Sequence, residues 1–290
     1  MTIRKLTVLA LPLAFFATVA CTDGSGKDSA TEEADADTDA DTDTDADTDA
    51  DTDADTDADT DADAGNANVS GTVEWADGSP AEGLQMRLCY DTCRVANSDA
   101  SGAWSFESVE NYDHTLQAVV LGGGGVAIPH AVVMLRDDET RVLSQPIKMA
   151  DFAQSTDLSG SSTVDGDGIT IDADQSAMTQ GSYTPDYDIY YVATVEMDPS
   201  TAGIPWDGLS GTPIAMWHLG NFDTTVDPPA PFTTDKTYGL GEGTQVEVWV
   251  TSNEDHGWIS GGTATVTGDQ IVADAGSGIP KLNTLVLIAP

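Results

Sequence analysis

NVSGTVEWADGSPAEGLQMRLC, Asn68 to Cys89, holds two runs of alternating character around one turn. Val69, Gly71, Val73 and Trp75 recur at every second position, as do Leu84, Met86 and Leu88. That is the spacing at which side chains of an extended chain share a face. Between the runs, Asp77-Gly78-Ser79-Pro80 combines an acid able to bond its own backbone, a residue free to take positive φ, and a residue without a backbone N–H. The chain reverses there. The stretch therefore reads as strand, turn, strand. The pattern repeats in SDASGAWSFESV, Ser98 to Val109, where a second turn precedes Trp104 and Phe106, two residues apart and so directed to one core.

Working outward, the candidate strands are Val69 to Trp75, Leu84 to Tyr90, Ala103 to Val109, Thr115 to Leu121, Val126 to Arg136 and Arg141 to Met149. Beyond Ala150 the runs YDIYYVATVEM, GTPIAMWHL, GTQVEVWVTS, GTATVTGDQIVAD and LNTLVLIAP read the same way, separated by Pro- and Gly-rich loops such as VDPPAPFTT. After Ala20 no stretch carries a helical period of useful length. Short strands at close spacing between turn residues predict an all-β protein. The expected architecture is two β-sandwich domains, 65–149 and 150–290, after a disordered acidic linker.

The first of these segments resembles the carboxypeptidase regulatory-like (transthyretin-like) β-sandwich, with Gly71, Val73, Asp77, Gly78, Pro80, Gly83, Gly102, Trp104, Phe106 and Leu116 in the positions of its motif. His114 departs from the family's Tyr-x-Leu spacing in YDHTLQAVV. The resemblance covers about Asn68 to Met149 and implies a non-catalytic accessory module, without naming a ligand. The second half is similar to C-terminal β domains of myxobacterial-type lipoproteins that carry Asp/Thr-rich stalks.

The N-terminus supports export. Two positive charges in Met1 to Lys5 precede the apolar stretch Leu6 to Ala20, which is too short to span a bilayer and fits a secretory signal, residues 1–20. Thr18-Val19-Ala20-Cys21 resembles the lipobox of bacterial lipoproteins, although Thr18 stands where the family prefers an aliphatic residue. It implies that Cys21 is lipidated and tethers the protein to a membrane, in the outer membrane and facing the periplasm or the surface; the alternative is ordinary cleavage after Ala20, which would leave Cys21 a free thiol. Cys89 and Cys93 then form an even pair in an exported chain, where a disulfide is the default. The rival, a C-x-x-x-C metal site, finds no second Cys or His pair nearby to complete a tetrahedral set.

Residues 21–64 complete the stalk. From Asp35 to Asp63 an aspartate occupies every second position, mostly in DADT units. Such a segment has nothing apolar to offset its ordering entropy and extends by self-repulsion. It reads as a spacer, with low-affinity calcium capture by its carboxylates, hard oxygen ligands, as the alternative. Beyond it the folded part carries 31 acids and 7 bases, a net charge of 7 − 31 = −24, which repels nucleic acid, since phosphate binding needs clustered Lys and Arg.

Catalytic signatures are missing. There is no Gly-x-Ser-x-Gly, no His-Glu-x-x-His and no P-loop, and His114, His130, His218 and His256 are scattered singly. The expectation is a non-enzymatic protein without a cofactor. The enzyme alternative is a hydrolase whose acids converge only in three dimensions. Asp165, Asp167, Asp172 and Asp174, around glycines, are weak calcium candidates, because they lack the closing Glu of a calcium loop. A sugar-stacking platform is a further candidate. Tyr183, Tyr187, Tyr190 and Tyr191 could contribute; Trp217 and Trp249 lie in apolar strands and read as core, whereas Trp206 and Trp258 sit among Gly and Pro and could face a ligand. A surface glycan or a protein partner remains open at this point.

Overall fold

The computed structural model describes residues 66–122, 125–159, 162–181 and 191–290. The signal, Cys21 and the aspartate repeat lie outside the described residues. Among the described residues the protein is all-β, with a single 3₁₀ turn at Gln175–Ala177. No helix among them is long and apolar enough to cross a membrane.

The first half contributes β1 (Ala67–Trp75), β2 (Gln85–Cys89), β3 (Cys93–Asn97), β4 (Ala103–Val109), β5 (Asp113–Val119), β6 (His130–Met134), β7 (Thr140–Val142) and β8 (Ile147–Met149). One sheet runs β4-β1-β7 with β8 also paired to β1, and the other runs β3-β2-β5-β6. The two enclose a core that includes Val69, Val73, Met86, Leu88, Trp104, Phe106 and Leu116. The alternation predicted the inward faces: Trp104 and Phe106 are both buried, with ring centroids 5.9 Å apart. The close fit explains a glycine. A Cβ on Gly71 would stand 2.8 Å from the Trp104 ring.

The turns hold as their chemistry requires. Asp77 accepts hydrogen bonds from the backbone N–H and hydroxyl of Ser79, and Asp99 accepts the same pair from Ser101 and also the N–H of Ala103. Asp174 and Asp198 repeat the arrangement with Ser176 and Ser200. Each carboxyl is thereby held below its ordinary pKa, chiefly by the serine hydroxyl. Part of the acidic excess thus serves as turn chemistry.

The second half adds β9 (Gln154–Asp157), β10 (Thr163–Asp165), β11 (Ile169–Asp172), β12 (Met178–Thr179), β13 (Tyr191–Met197), β14 (Thr212–Gly220), β15 (Thr224–Ala230), β16 (Phe232–Thr234), β17 (Gln245–Ser252), β18 (Gly257–Thr267), β19 (Gln270–Ala273), β20 (Ile279–Leu282) and β21 (Thr284–Ala289). Ten of them form one sheet in the order β10-β11-β16-β19-β18-β17-β21-β14-β13-β9, and β12-β15-β20 form a smaller one. VDPPAPFTT, expected as a loop, is instead strand for most of its length, as the end of β15 and all of β16. Pro228 and Pro229 are accommodated because β15 pairs with β20 at Thr224, Thr225 and Ala230, with the register broken between. No ladder N–H is needed where the prolines stand.

The centre of the large sheet is buried on both faces. Along β14 and β21, Ala215, Trp217, Leu219, Leu285 and Leu287 point into a second core, while Met216, Val286 and Ile288 join the core of the first half together with Ala202 and Ile204. Alternation here separates two interiors rather than interior from water. The division expected at 149/150 is therefore crossed by a shared core, and the described residues belong to one compact unit.

Candidate functional site

An open pocket of about 660 Å³ lies where the ends of β5 and β6 meet the β17–β18 hairpin. Its walls carry aromatic rings from three separated stretches: Tyr90, Tyr112, and Trp249 with His256 and Trp258. Tyr90 packs against two of them. Tyr112 stacks on one face at 4.5 Å and 18°, and His256 lies over the ring at 4.2 Å and 35°. Tyr90 thus has two ring neighbours within 4.5 Å, and Tyr112 is 40% exposed.

Each ring is placed by local structure. Cys89 and Cys93, paired in register across β2 and β3, are disulfide-bonded as expected, and Tyr90 is the first residue of the loop this bond closes. His256 sits in the β17–β18 turn with φ +52°, a left-handed conformation uncommon for a residue with a side chain. The indole of Trp258 donates to the carbonyl of Asp207 at 2.9 Å, and that of Trp249 donates to Glu247 at 2.8 Å. Asp207 is itself fixed, its carboxylate accepting from Arg141 at 2.8 Å and from the N–H of Met134 at 2.9 Å. These are rigid walls.

Below the pocket the hairpin is tied to the first half by a buried polar hub. Asn253, 1% exposed, accepts through its side-chain oxygen from Thr115 at 2.7 Å, Gln117 at 2.8 Å and His130 at 3.0 Å. The amide oxygen only accepts, so Nε2 of His130 carries the proton. The backbone N–H of His130 donates to the Thr284 hydroxyl, which also bonds Nδ1 of His218. Read in sequence as scattered, these two histidines meet at Thr284. Burial drives the His130 pKa down to about 4 and that of His218 down to about 3.

The structure brings Trp206 and Trp258 together, with ring centroids 6.0 Å apart. Trp258 opens β18 rather than standing in a loop, because the hairpin turn ends at His256. Trp217 is fully buried as expected, whereas Trp249, expected in the core, is only half-buried and lines the pocket. Tyr90, Tyr112 and His256 were not expected, since nothing in their local sequence signals a stack. Tyr183, Tyr187 and Tyr190 fall outside the described residues.

The four calcium candidates take separate roles. Asp165 and Asp172 lie exposed on the β10–β11 hairpin, and Asp174 caps the 3₁₀ turn. Asp167 accepts from the N–H of Glu196 through its carboxylate and from the indole of Trp217 through its carbonyl. Among the described residues, no three His, Cys, Asp or Glu side chains gather as a metal site. The buried carboxylate among them is Asp223, which lies 3.4 Å from Lys281 and accepts from the side-chain amide of Asn283.

No family model matches the chain, and no curated protein matches it. Among solved structures, a crystal structure described as a "putative carbohydrate binding protein" from Bacteroides uniformis ATCC 8492 aligns over 77% of this chain and 79% of that chain, at 9% identity and a TM-score of 0.24. A similarity that low carries neither the fold nor the function.

Proposed function

We propose that the protein is a non-catalytic, lipid-anchored component of the cell envelope that binds carbohydrate in the aromatic pocket between β5, β6 and the β17–β18 hairpin. The single observation that carries the binding role is the Tyr112-Tyr90-His256 stack, whose outer member, Tyr112, is partly exposed at the pocket. A sugar ring has an apolar face of C–H groups that lies flat on such a ring, and its hydroxyls need nearby polar groups. Asn111, Asp113 and Asp255 supply them at the rim. The pocket volume falls in the range of small-molecule sites. A binding rather than hydrolytic role is supported by Asp223, whose partners Lys281 and Asn283 use its charge internally and away from the pocket.

The test is a glycan array probed with the full exported protein, followed by the Tyr112→Ala variant on each glycan bound. Loss of the stacking face should remove about 1–2 kcal/mol, roughly a tenfold weakening. Tyr112 is at the surface, so the variant should keep its unfolding midpoint. Glycans held equally well by Tyr112→Ala would place binding elsewhere, and an empty array would end the carbohydrate reading.

The anchoring rests on Leu6 to Ala20 and Cys21, with the aspartate repeat as the spacer between membrane and folded part. In a bacterial host given labelled palmitate, the wild-type chain is expected to take up label and Cys21→Ser to take up none. Equal labelling of both would remove the lipid from Cys21.

A further inference from the structure

We propose a second sugar subsite on the other side of the Trp206–Trp258 pair, so that the ligand is an extended neutral glycan lying across both pockets. The inference rests on the carbohydrate reading of the first pocket. Its own ground is a second cavity of about 360 Å³, lined by Trp206, Pro205, Arg141, Ser144 and Gln145 among others, which is also within the size range of ligand sites.

The two cavities share one partition. Asp207 lines the second pocket and its neighbour Gly208 the first; Trp206 faces the second and Trp258 the first. The two indoles of the partition lie with ring centroids 6.0 Å apart and planes inclined by 31°. Cavities divided by so thin a partition can both be reached by one oligosaccharide chain. The partition is stiff, because the Asp207 carboxylate is bonded to Arg141 and to the N–H of Met134 while its carbonyl holds the indole of Trp258. Residue 206 is also bridged to Val132 of β6. A preformed pair of surfaces loses little entropy on binding.

Charge selects the chemistry. Asp113 and Asp255 stand in the first pocket. The Arg141 guanidinium in the second is already committed to Asp207 and to the carbonyl of Met134. Among the described residues lining the two pockets no unengaged Lys or Arg waits for a carboxylate or sulfate, and the net charge of −24 on the folded part opposes both. Uronic-acid and sulfated chains are thereby disfavoured, and Ser144 and Gln145 suit hydroxyl groups.

Calorimetry on the full exported protein decides the matter, using cello-, xylo- and mannan-derived oligosaccharides of one to six units, with polygalacturonate as the anionic probe. Affinity for a bound series is expected to rise at least tenfold between the shortest binder and the hexamer. Trp206→Ala should abolish that rise while leaving the shortest binder within twofold, and Tyr112→Ala should weaken every length. An affinity flat with length, or a length dependence unchanged in Trp206→Ala, overturns the second subsite and leaves the first intact. Tighter binding of polygalacturonate than of every neutral chain overturns the charge selection, and absence of all binding overturns both pockets together.

Discussion

Lowering the pH from 7 to 5 is expected to remove about 4 kcal/mol of folding stability through His130 and His218 alone, two fully buried histidines held neutral at the seam of the molecule. His130 and His218 are both inaccessible to solvent, and burial holds their pKa values down to about 4 and about 3, against about 6.5 in an unfolded chain. Lys281 adds to the depression of the first and His130 to that of the second. Between pH 6.5 and 4 the unfolded chain takes up protons that the folded state refuses, so stability falls as pH falls. Integrated from pH 7 to 5, this comes to about 2 kcal/mol per histidine, against a total of roughly 5–15 kcal/mol for a typical fold.

Two further groups act beside these histidines: burial also lowers the pKa of His114, which adds to the loss, and raises that of Asp223, which opposes it. The Asp-x-Ser turn carboxyls lie below their ordinary range and act only at more acid pH. Burial, with Glu254 beside it, keeps the Asp223 carboxyl above its ordinary range although Lys281 and Asn283 oppose the rise. Urea unfolding at pH 7 and pH 5 measures the loss, and His218→Gln should roughly halve it whatever the variant's stability at pH 7. Stability that is level between the two pH values would mean that both histidines protonate inside the fold.

How much of this was legible depends on what a side chain reports about its neighbours. Period-two alternation located the strands from Asn68 to Cys89 and the inward pair Trp104 and Phe106, since a strand's facing is a local property. The turns at Asp77 and Asp99 were legible for the same reason, and the Cys89–Cys93 bond from the cysteine count of an exported chain. Strand partners are not local: nothing in TTVDPPA or FTT says that one pairs with β20 and the other lies between β11 and β19, and the prolines argued against strand at all. β3 was missed because CRVAN forms a solvent-facing edge with no buried side. At the site, Trp206 and Trp258 stood out by their setting among Gly and Pro, whereas Tyr90, Tyr112 and His256 span 166 positions of sequence and meet only through the fold. LVLIA and AMWHL did carry an unused signal. Unbroken apolar runs mark strands buried on both faces, and these two are the strands that join the halves.

That junction predicts that neither half folds alone. Cut between Met149 and Ala150, the first half keeps its two four-stranded sheets but loses Ala202, Ile204, Met216, Val286 and Ile288 from its core. Exposing the surfaces these five cover costs on the order of 10 kcal/mol as an upper estimate, comparable with the whole stability of a domain. The polar side of the junction adds to the loss: Thr115, Gln117 and His130 stay in the first fragment while Asn253 and Thr284 leave with the second, so buried donors are stranded in both. Residues 65–149 and 150–290 expressed separately should therefore give broad, non-cooperative thermal melts and poorly dispersed amide spectra. Co-expressed, they should associate and recover a single transition close to that of the uncut chain. A sharp melt and a dispersed spectrum from 65–149 alone would show that the first sandwich is self-sufficient and that the shared core is an interface rather than an interior.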